Sequence, residues 1–507
     1  MKYIDYVQLN PLQRAGFKTK EFFANLPKNF VKVMTVIGMF FVKLGKGIGK
    51  GFAGYFTRFG RGDWATKLSY IIMGLGNMVR GQIGKGLIFL ATEVLYILFM
   101  INFGWGYLQK FPTLGTVEPG TRAINPATGR MQKMPGDNSM LILLYGVMVI
   151  VVTVIFFIIY ISNTKSAYKA QQTVAEGRKP VGFFAEMKEF LDSKFHVTLL
   201  AFPTLTISIF TILPLIFMIL IAFTNYDSDH NELAHLFTWT GFQTFSDVFS
   251  TTGGGSTKSM GETFLELTKW TLIWAVCATV LNYILGMVVA LMINKKDIKL
   301  KALWRTLFVV TVAVPQFVSL LLMSQMLNYN DGAINVLLKE TLHLIPEHIH
   351  FLDGDPWVAR LTVIIVNCWV GIPYTILITS GILMNIPADL YESATIDGAG
   401  PVRSFFSITL PYMLFVTTPY LITSFVGNIN NFNVIYLLTA NSQNTNDLAK
   451  GAGYTDLLVT WLFKLTMSEH DYNLAAAIGI LVFIVCATIS LLTFNLTKSA
   501  KNEEEFS

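Results

Sequence analysis

The sequence predicts an all-α polytopic membrane protein. Three observations carry that reading: an apolar composition, a recurrence of apolar stretches near membrane-spanning length, and basic residues gathered in alternate links between them. Of 507 residues 53% are hydrophobic and only 14% charged, which is too apolar for an ordinary soluble chain of this size. A hydrocarbon core about 30 Å thick asks for about 20 apolar residues per helix. Segments 86–108, 140–162, 199–224, 270–293, 303–326, 360–384, 412–438 and 472–496 satisfy this and give about eight crossings.

The elements follow in chain order. Met1 to Lys20 carries charge with no signal-length apolar core directly behind it, so the first residues are expected to stay in the cytoplasm. Phe30 to Phe41 is apolar but interrupted by Lys32 and bounded by Lys43, and Gly45 to Gly51 alternates glycine too often for a firm helix. Residues 1–85 are therefore expected to be a basic cytoplasmic or membrane-surface region, amphipathic on the anionic inner leaflet, with a ninth or tenth span as the alternative. No Gly-x-x-x-x-Gly-Lys-Ser/Thr occurs, so ATP is not held by a phosphate loop of this chain.

Orientation comes from the links. Lys and Arg crowd the region before the first span, and 294–302 holds Lys295, Lys296, Lys299 and Lys301, whereas 225–268 and 327–358 are mostly acidic. Both termini and the link containing Glu392 are thus expected on the cytoplasmic side. Cys277, Cys368 and Cys486 lie far apart in apolar spans, a pattern of packing residues rather than of a disulfide framework or metal site.

Titratable groups are scarce in the spans. Glu93 is a lone carboxylate in the first, read as a structural group rather than a proton site. The polarity that exists is amide and hydroxyl: Ser424 to Asn433 places four asparagines inside the seventh span, and at 100° per residue Ser424, Asn428 and Asn431 share one stripe. Neutral amides beside aromatic surface suit a sugar, whose hydroxyls take directional hydrogen bonds while its C–H faces stack; interhelical hydrogen bonding is the plainer alternative. In the sixth span Trp369 to Tyr374 contains Pro373, which removes a backbone bond and is expected to kink the helix beside a polar aromatic.

One link is unlike the others. Tyr391-Glu392-Ser393-Ala394-Thr395-Ile396-Asp397-Gly398, then nine residues to Ile408-Thr409-Leu410-Pro411, is a compact polar and small-residue segment ending in a proline-flanked turn expected to break the helix. Its spacing resembles the coupling loop of ATP-binding-cassette importer permeases, with Ser393 where alanine is usual. From about residue 199 onward the chain further resembles the MalF-type permease subunit of maltose/maltodextrin importers. That likeness rests on Ala222 to Tyr226, Gly371 to Tyr374, Ile396 to Pro401, Asn428 to Phe432, Gly453-Tyr454-Thr455-Asp456-Leu457-Leu458-Val459, and Leu474 to Ile478.

The resemblance implies a six-helix type I importer core over 199–496, with a coupling loop at 385–411. It further implies an extra hairpin over 86–162, a cytoplasmic linker over 163–198 and a cytoplasmic tail over 497–507. It implies sugar contacts at Gly371, Tyr374, Ser424, Asn428 and Asn431, and ATPase coupling through Glu392, Ala394, Asp397, Gly398, Ile408, Leu410 and Pro411. The partners it implies are a MalG-like second permease, two MalK-like ATPase subunits that bind ATP and Mg, and an extracytoplasmic sugar-binding protein, all at a bacterial cell membrane. The chain itself then has no cofactor, metal or catalytic residue, and is no enzyme. Two departures stand out: Gly427 occupies a place where relatives can present an aromatic ring, and the outer loop 225–268 is short and glycine-rich at Gly253 to Gly255. The alternatives are the same architecture for a raffinose-type or multiple-sugar cargo, and an ion-coupled sugar carrier, against which the missing intramembrane carboxylates weigh.

Overall fold

The computed structural model describes scattered positions from 31 to 50 and then residues 51–496, apart from breaks at 119, 121, 125–130, 134–135, 231–235, 252–255, 296–297 and 440–444. Residues 1–30, the Gly253 to Gly255 run and the 497–507 tail, on which expectations were placed above, lie outside the described residues. Among the described residues seven helices are long and apolar enough to cross a membrane, and an eighth crossing appears if one bent pair counts as a single span. Contacts divide the chain into two compact units at Thr244/Phe245.

In the first unit, α1 (Ile83–Lys110) and α2 (Ser139–Ala175) form a hairpin, and α3 (Phe183–Leu191) and α4 (Phe195–Ile221) follow. Between α1 and α2 a short ribbon pairs β1 (Arg122–Ile124) antiparallel with β2 (Met131–Lys133). Tyr96 of α1 stacks on Phe156 of α2 with centroids 3.9 Å apart. The described positions among 45–51 are helical, and the helix runs to residue 61, contrary to the expectation drawn from their glycines. Each glycine costs about 1 kcal/mol against alanine, but continuation into a longer helix supplies bonds that an isolated turn lacks.

Residues 62–82 then fold into a polar cap on α2. Buried Asn163 accepts from the Gly74 N–H at 2.9 Å and donates to Ser69 O at 2.8 Å, and Arg80 reaches Asp63, Thr66, Gly76 O and Ala167 O. Glu93 accepts the Met73 N–H at 2.8 Å, the structural use read for it in the sequence.

The second unit is built on α5 (Met260–Asn294), which opens with a Ser259/Glu262 capping box. Next come α6 (Lys301–Val312), α7 (Gln316–Met326), α8 (Pro356–Leu383), α9 (Ala388–Ile396), α10 (Pro401–Ile429), α11 (Phe432–Thr439), α12 (Leu458–Met467) and α13 (Tyr472–Leu496). Trp270, Trp274, Val363, Val366, Ile435 and Leu438 are core residues gathered from α5, α8 and α11. α8 starts at Pro356 after Asp355, whose carboxylate accepts the N–H groups of Trp357 and Val358.

Two expected spans differ. The fifth, 303–326, is broken between α6 and α7 with a bend of 84°, because Pro315 has no N–H and disfavours helix at Val314. The seventh, 412–438, ends at Ile429 and restarts at Phe432, so the four asparagines straddle a helix end rather than lying inside one helix. By contrast α8 runs unbroken through Pro373.

α5 and α8 cross through reciprocal notches. A Cβ on Gly286 would lie 2.5 Å from Thr375 Cβ, and one on Gly371 would lie 2.3 Å from Asn282 Nδ2. Each glycine admits a side chain from the other helix, as in close-packed membrane helices. Gly286→Leu is therefore expected to destabilise the fold by about 1–3 kcal/mol through overpacking, measured by thermal unfolding of the purified chain; Gly381→Leu, where a Cβ meets nothing within 4 Å, is the silent control.

Candidate functional site

The crossing of α5 and α8, closed by α10, leaves a polar cleft of about 280 Å³. Every residue for which a sugar contact was implied lines it: Gly371 and Tyr374 from α8, Ser424 and Asn428 from α10, and Asn431 beyond the helix end. Ser424 and Asn428 share the stripe expected of them. Asn431 arrives differently, through the turn that ends α10, where its Oδ1 accepts the Val434 N–H at 3.3 Å and starts α11.

The amides are held in a chain. Asn431 Nδ2 donates to Asn428 Oδ1 at 3.4 Å, Asn428 Nδ2 donates to Thr279 Oγ1 at 3.0 Å, and the Asn428 carbonyl accepts from Trp274 Nε1 at 3.1 Å. Interhelical bonding and cavity lining are thus the same residues at work. Sequence reasoning missed Thr279, Asn282, Gln316, Asn367 and Tyr420, which also line the cleft. Asn282 Oδ1 and the Nδ2 of Asn367, a residue 4% exposed, have no hydrogen-bond partner among the described residues. An amide group left unpaired in a buried wall costs about 1–3 kcal/mol, so both are poised for a ligand or water.

Gly427 faces open space: a Cβ there would meet nothing within 4 Å. The ring that relatives can present at that position is absent, but Tyr420, two turns earlier on the same helix, and Tyr374 supply aromatic surface to the same cleft. Among the described residues no Asp, Glu, Lys, Arg or His lines it. Such a site selects a neutral ligand that both stacks and accepts or donates several hydrogen bonds, and disfavours phosphates and ions.

The loop after α8 is the second candidate site. α9 ends in a paired turn: the Gly398 N–H donates to Thr395 O at 3.0 Å and the Ala399 N–H to Ala394 O at 2.8 Å, with Gly398 at φ +74°. That is the two-bond helix terminus that needs a left-handed residue, hence glycine. Gly400 then caps α10, whose first turn takes Pro401. Pro411 does not break the helix as expected. A wider turn over Phe405–Thr409 lets the Leu410 N–H reach Phe405 O, five residues back, just before the proline that has none to give. Ile408 lies in that turn, and Tyr391 Oη meets Thr409 Oγ1 at 2.8 Å, pinning α9 to the base of α10.

The outer side of this loop is left uncovered. Ile396 is 86% exposed and Val402 70%, beside exposed Glu392 and Asp397; Ala394 is half-buried. Glu392 makes no ion pair among the described residues. A rigid helix-turn presenting apolar and acidic side chains together is suited to docking.

Over residues 282–501 the chain matches the family described as binding-protein-dependent transport system inner membrane component. It is 34% identical to the galactooligosaccharides transport system permease protein GanP of Bacillus subtilis, over 85% of this chain and 97% of that protein. Identity is also 34% with the maltodextrin transport system permease protein MdxF of the same organism, over 86% of this chain and 95% of the other. The maltose/maltodextrin transport system permease protein MalF of Vibrio vulnificus is 36% identical over 48% of this chain and 46% of its own length.

Proposed function

Because this chain belongs to the binding-protein-dependent transport system inner membrane components, as a multi-pass permease of an ATP-binding-cassette sugar transporter, we propose that it imports a neutral oligosaccharide of the maltodextrin kind. One observation carries the choice of ligand class: the cleft holds five amide side chains and three tyrosines, with no charged group among them. The sugar lies across Tyr374 and Tyr420 while Asn428, Asn431 and Ser424 bond its hydroxyls, and Asn282 and Asn367 complete the ring of donors and acceptors. At about 280 Å³ the cleft is at the small end for a ligand site, which is consistent with a second, MalG-like permease closing its other side.

Fuel enters elsewhere. Two MalK-like ATPase subunits bind and hydrolyse ATP in the cytoplasm, one of them gripping the Glu392 to Gly398 turn, and their closure swings the cleft between inward- and outward-facing states. An extracytoplasmic binding protein delivers the sugar. Both termini and the coupling loop then face the cytoplasm, as the basic links require.

Uptake of labelled maltotriose in cells lacking the native permease and supplied with the full transporter tests this. Asn428→Ala or Tyr374→Ala is expected to lower uptake roughly 5- to 30-fold, the equivalent of about 1–2 kcal/mol, with membrane level and ATPase association unchanged. Unaltered kinetics in both variants would return these residues to helix packing alone. GanP is as similar as MdxF, so a galactooligosaccharide stands beside maltotriose in the panel; preference for it would keep the mechanism and replace the cargo.

A further inference from the structure

The first unit contains a larger cavity that the transport pathway does not use. It measures about 620 Å³ and lies where α1 begins, beside the end of the apolar stretch of α2 and under α3. Among the described residues four lysines line it, Lys85, Lys165, Lys169 and Lys194, with one carboxylate, Glu189. Lys194 bonds Glu189 at 2.6 Å and, with Lys169 and Lys85, holds that carboxyl below its usual range, so the cations share one field. The positive end of the α1 dipole adds to it.

The same cavity also has apolar lining, from Ile88, Phe89, Phe183 and Met187. Its wall is fixed rather than fortuitous. Buried Gln82 donates to Val181 O at 2.7 Å and accepts from Asn77 Nδ2 at 2.7 Å, and the Phe183 ring lies against Gly84, where a Cβ would be 3.0 Å from it. On its other side α3 turns Phe184, 84% exposed, and Leu191 outward, an apolar surface suited to a membrane interface. The cavity therefore combines cationic and apolar side chains beside the ends of two membrane-length helices.

We propose that this cavity binds one anionic phospholipid, its phosphate among Lys85, Lys165 and Lys169 and an acyl chain over Ile88 and Phe89. A soluble phosphate offers the same oxyanion, but the apolar part of the lining and the outward apolar surface of α3 favour a lipid. A basic pocket between membrane helices retains such headgroups through charge and chain burial together.

Native mass spectrometry of the full-length chain in mild detergent tests this, with phosphatidylglycerol or phosphatidylcholine titrated in. One phosphatidylglycerol is expected to be retained in preference to phosphatidylcholine. Lys165→Gln with Lys169→Gln, at exposed positions of α2, should weaken it roughly 30-fold, about 2 kcal/mol at about 1 kcal/mol per lysine, while the paired Lys→Arg variant retains it. Equal retention of the two lipids by the native chain, or undiminished phosphatidylglycerol binding by the glutamine variant, would overturn the site. Inorganic phosphate and deacylated glycerophosphoglycerol serve as competitors. Each should compete only at concentrations at least about a hundredfold above the lipid's, since neither has chains to bury; competition at lipid-like concentration would assign a soluble anion and remove the lipid.

Discussion

Gly398→Asp and Glu392→Lys are each expected to cut sugar uptake by roughly a hundredfold, the scale of losing a docking hot spot worth about 3 kcal/mol, while leaving the chain inserted and its unfolding nearly unchanged. Gly398 has φ +74°, and a Cβ there meets no atom within 4 Å. Aspartate tolerates the left-handed region better than most residues, so the backbone penalty stays near 1–2 kcal/mol or below. Nothing inside the chain is displaced. A large transport defect must then arise where something outside meets the turn.

The same logic applies to Glu392, exposed and without an ion pair among the described residues, whose inversion to lysine breaks no salt bridge among them. The readouts are labelled-sugar uptake, sugar-stimulated ATPase activity of the assembled transporter, and thermal unfolding of the purified permease. Normal uptake by both variants would remove this turn from the drive train; loss of folding in step with uptake would make it merely structural. A compensating Lys→Glu change in the partner that restored Glu392→Lys would identify the cation it meets.

The spans were legible because about 20 apolar residues in a row have few other uses, and six of the eight expected segments fall on unbroken helices, the other two on broken ones. What misled was local. Pro315 carried an available signal, since the residue before a proline leaves the helical region, yet a span-length apolar count averages over Pro315 and Gln316 and hides the 84° bend. At Asn430 and Asn431 the apolar count likewise continued while the backbone stopped, because an asparagine side chain can cap the next helix as readily as extend the last.

The cleft was half legible for a different reason. Ser424, Asn428 and Asn431 cluster in sequence, so a helical stripe finds them; Asn282, Gln316 and Asn367 are lone amides in three separate helices that meet only in the fold, Asn282 and Asn367 where Gly286 and Gly371 let α5 and α8 approach. No window of sequence contains that information. Gly371 itself shows both sides, since it lines the cleft and also clears the space that Asn282 occupies.

Lys464→Met is expected to destabilise the second unit by about 3–5 kcal/mol, the cost of stranding a buried charge. The segment Gly453 to Val459, which carried the family resemblance most specifically, turns out to be a knot around Asp456. That carboxylate accepts from the Gly453 N–H at 2.6 Å, the Thr460 hydroxyl at 2.9 Å and Lys464 Nζ at 2.7 Å, with both charged side chains under 10% exposed. Thr455 O meanwhile receives Trp270 Nε1 at 3.0 Å and the Leu458 N–H donates to Thr271 Oγ1 at 3.1 Å, tying α12 to α5. Burial pushes the Asp456 carboxyl up, against the pull of Lys464, Gly453 and Thr460, so the lysine is what keeps the charge tolerable. Removing it leaves an anion that must protonate or drag in water. Asp456→Asn with Lys464→Met should recover most of the loss, because the amide oxygen still accepts the Gly453 N–H and its NH₂ donates to Thr460, whose own proton turns to Leu457 O. Unfolding of the purified full-length chain in increasing denaturant reads both variants. A Lys464→Met chain as stable as the native one would mean that water already reaches Asp456, and a double variant no better than the single would mean that the ion pair, rather than the hydrogen bonds, holds the knot.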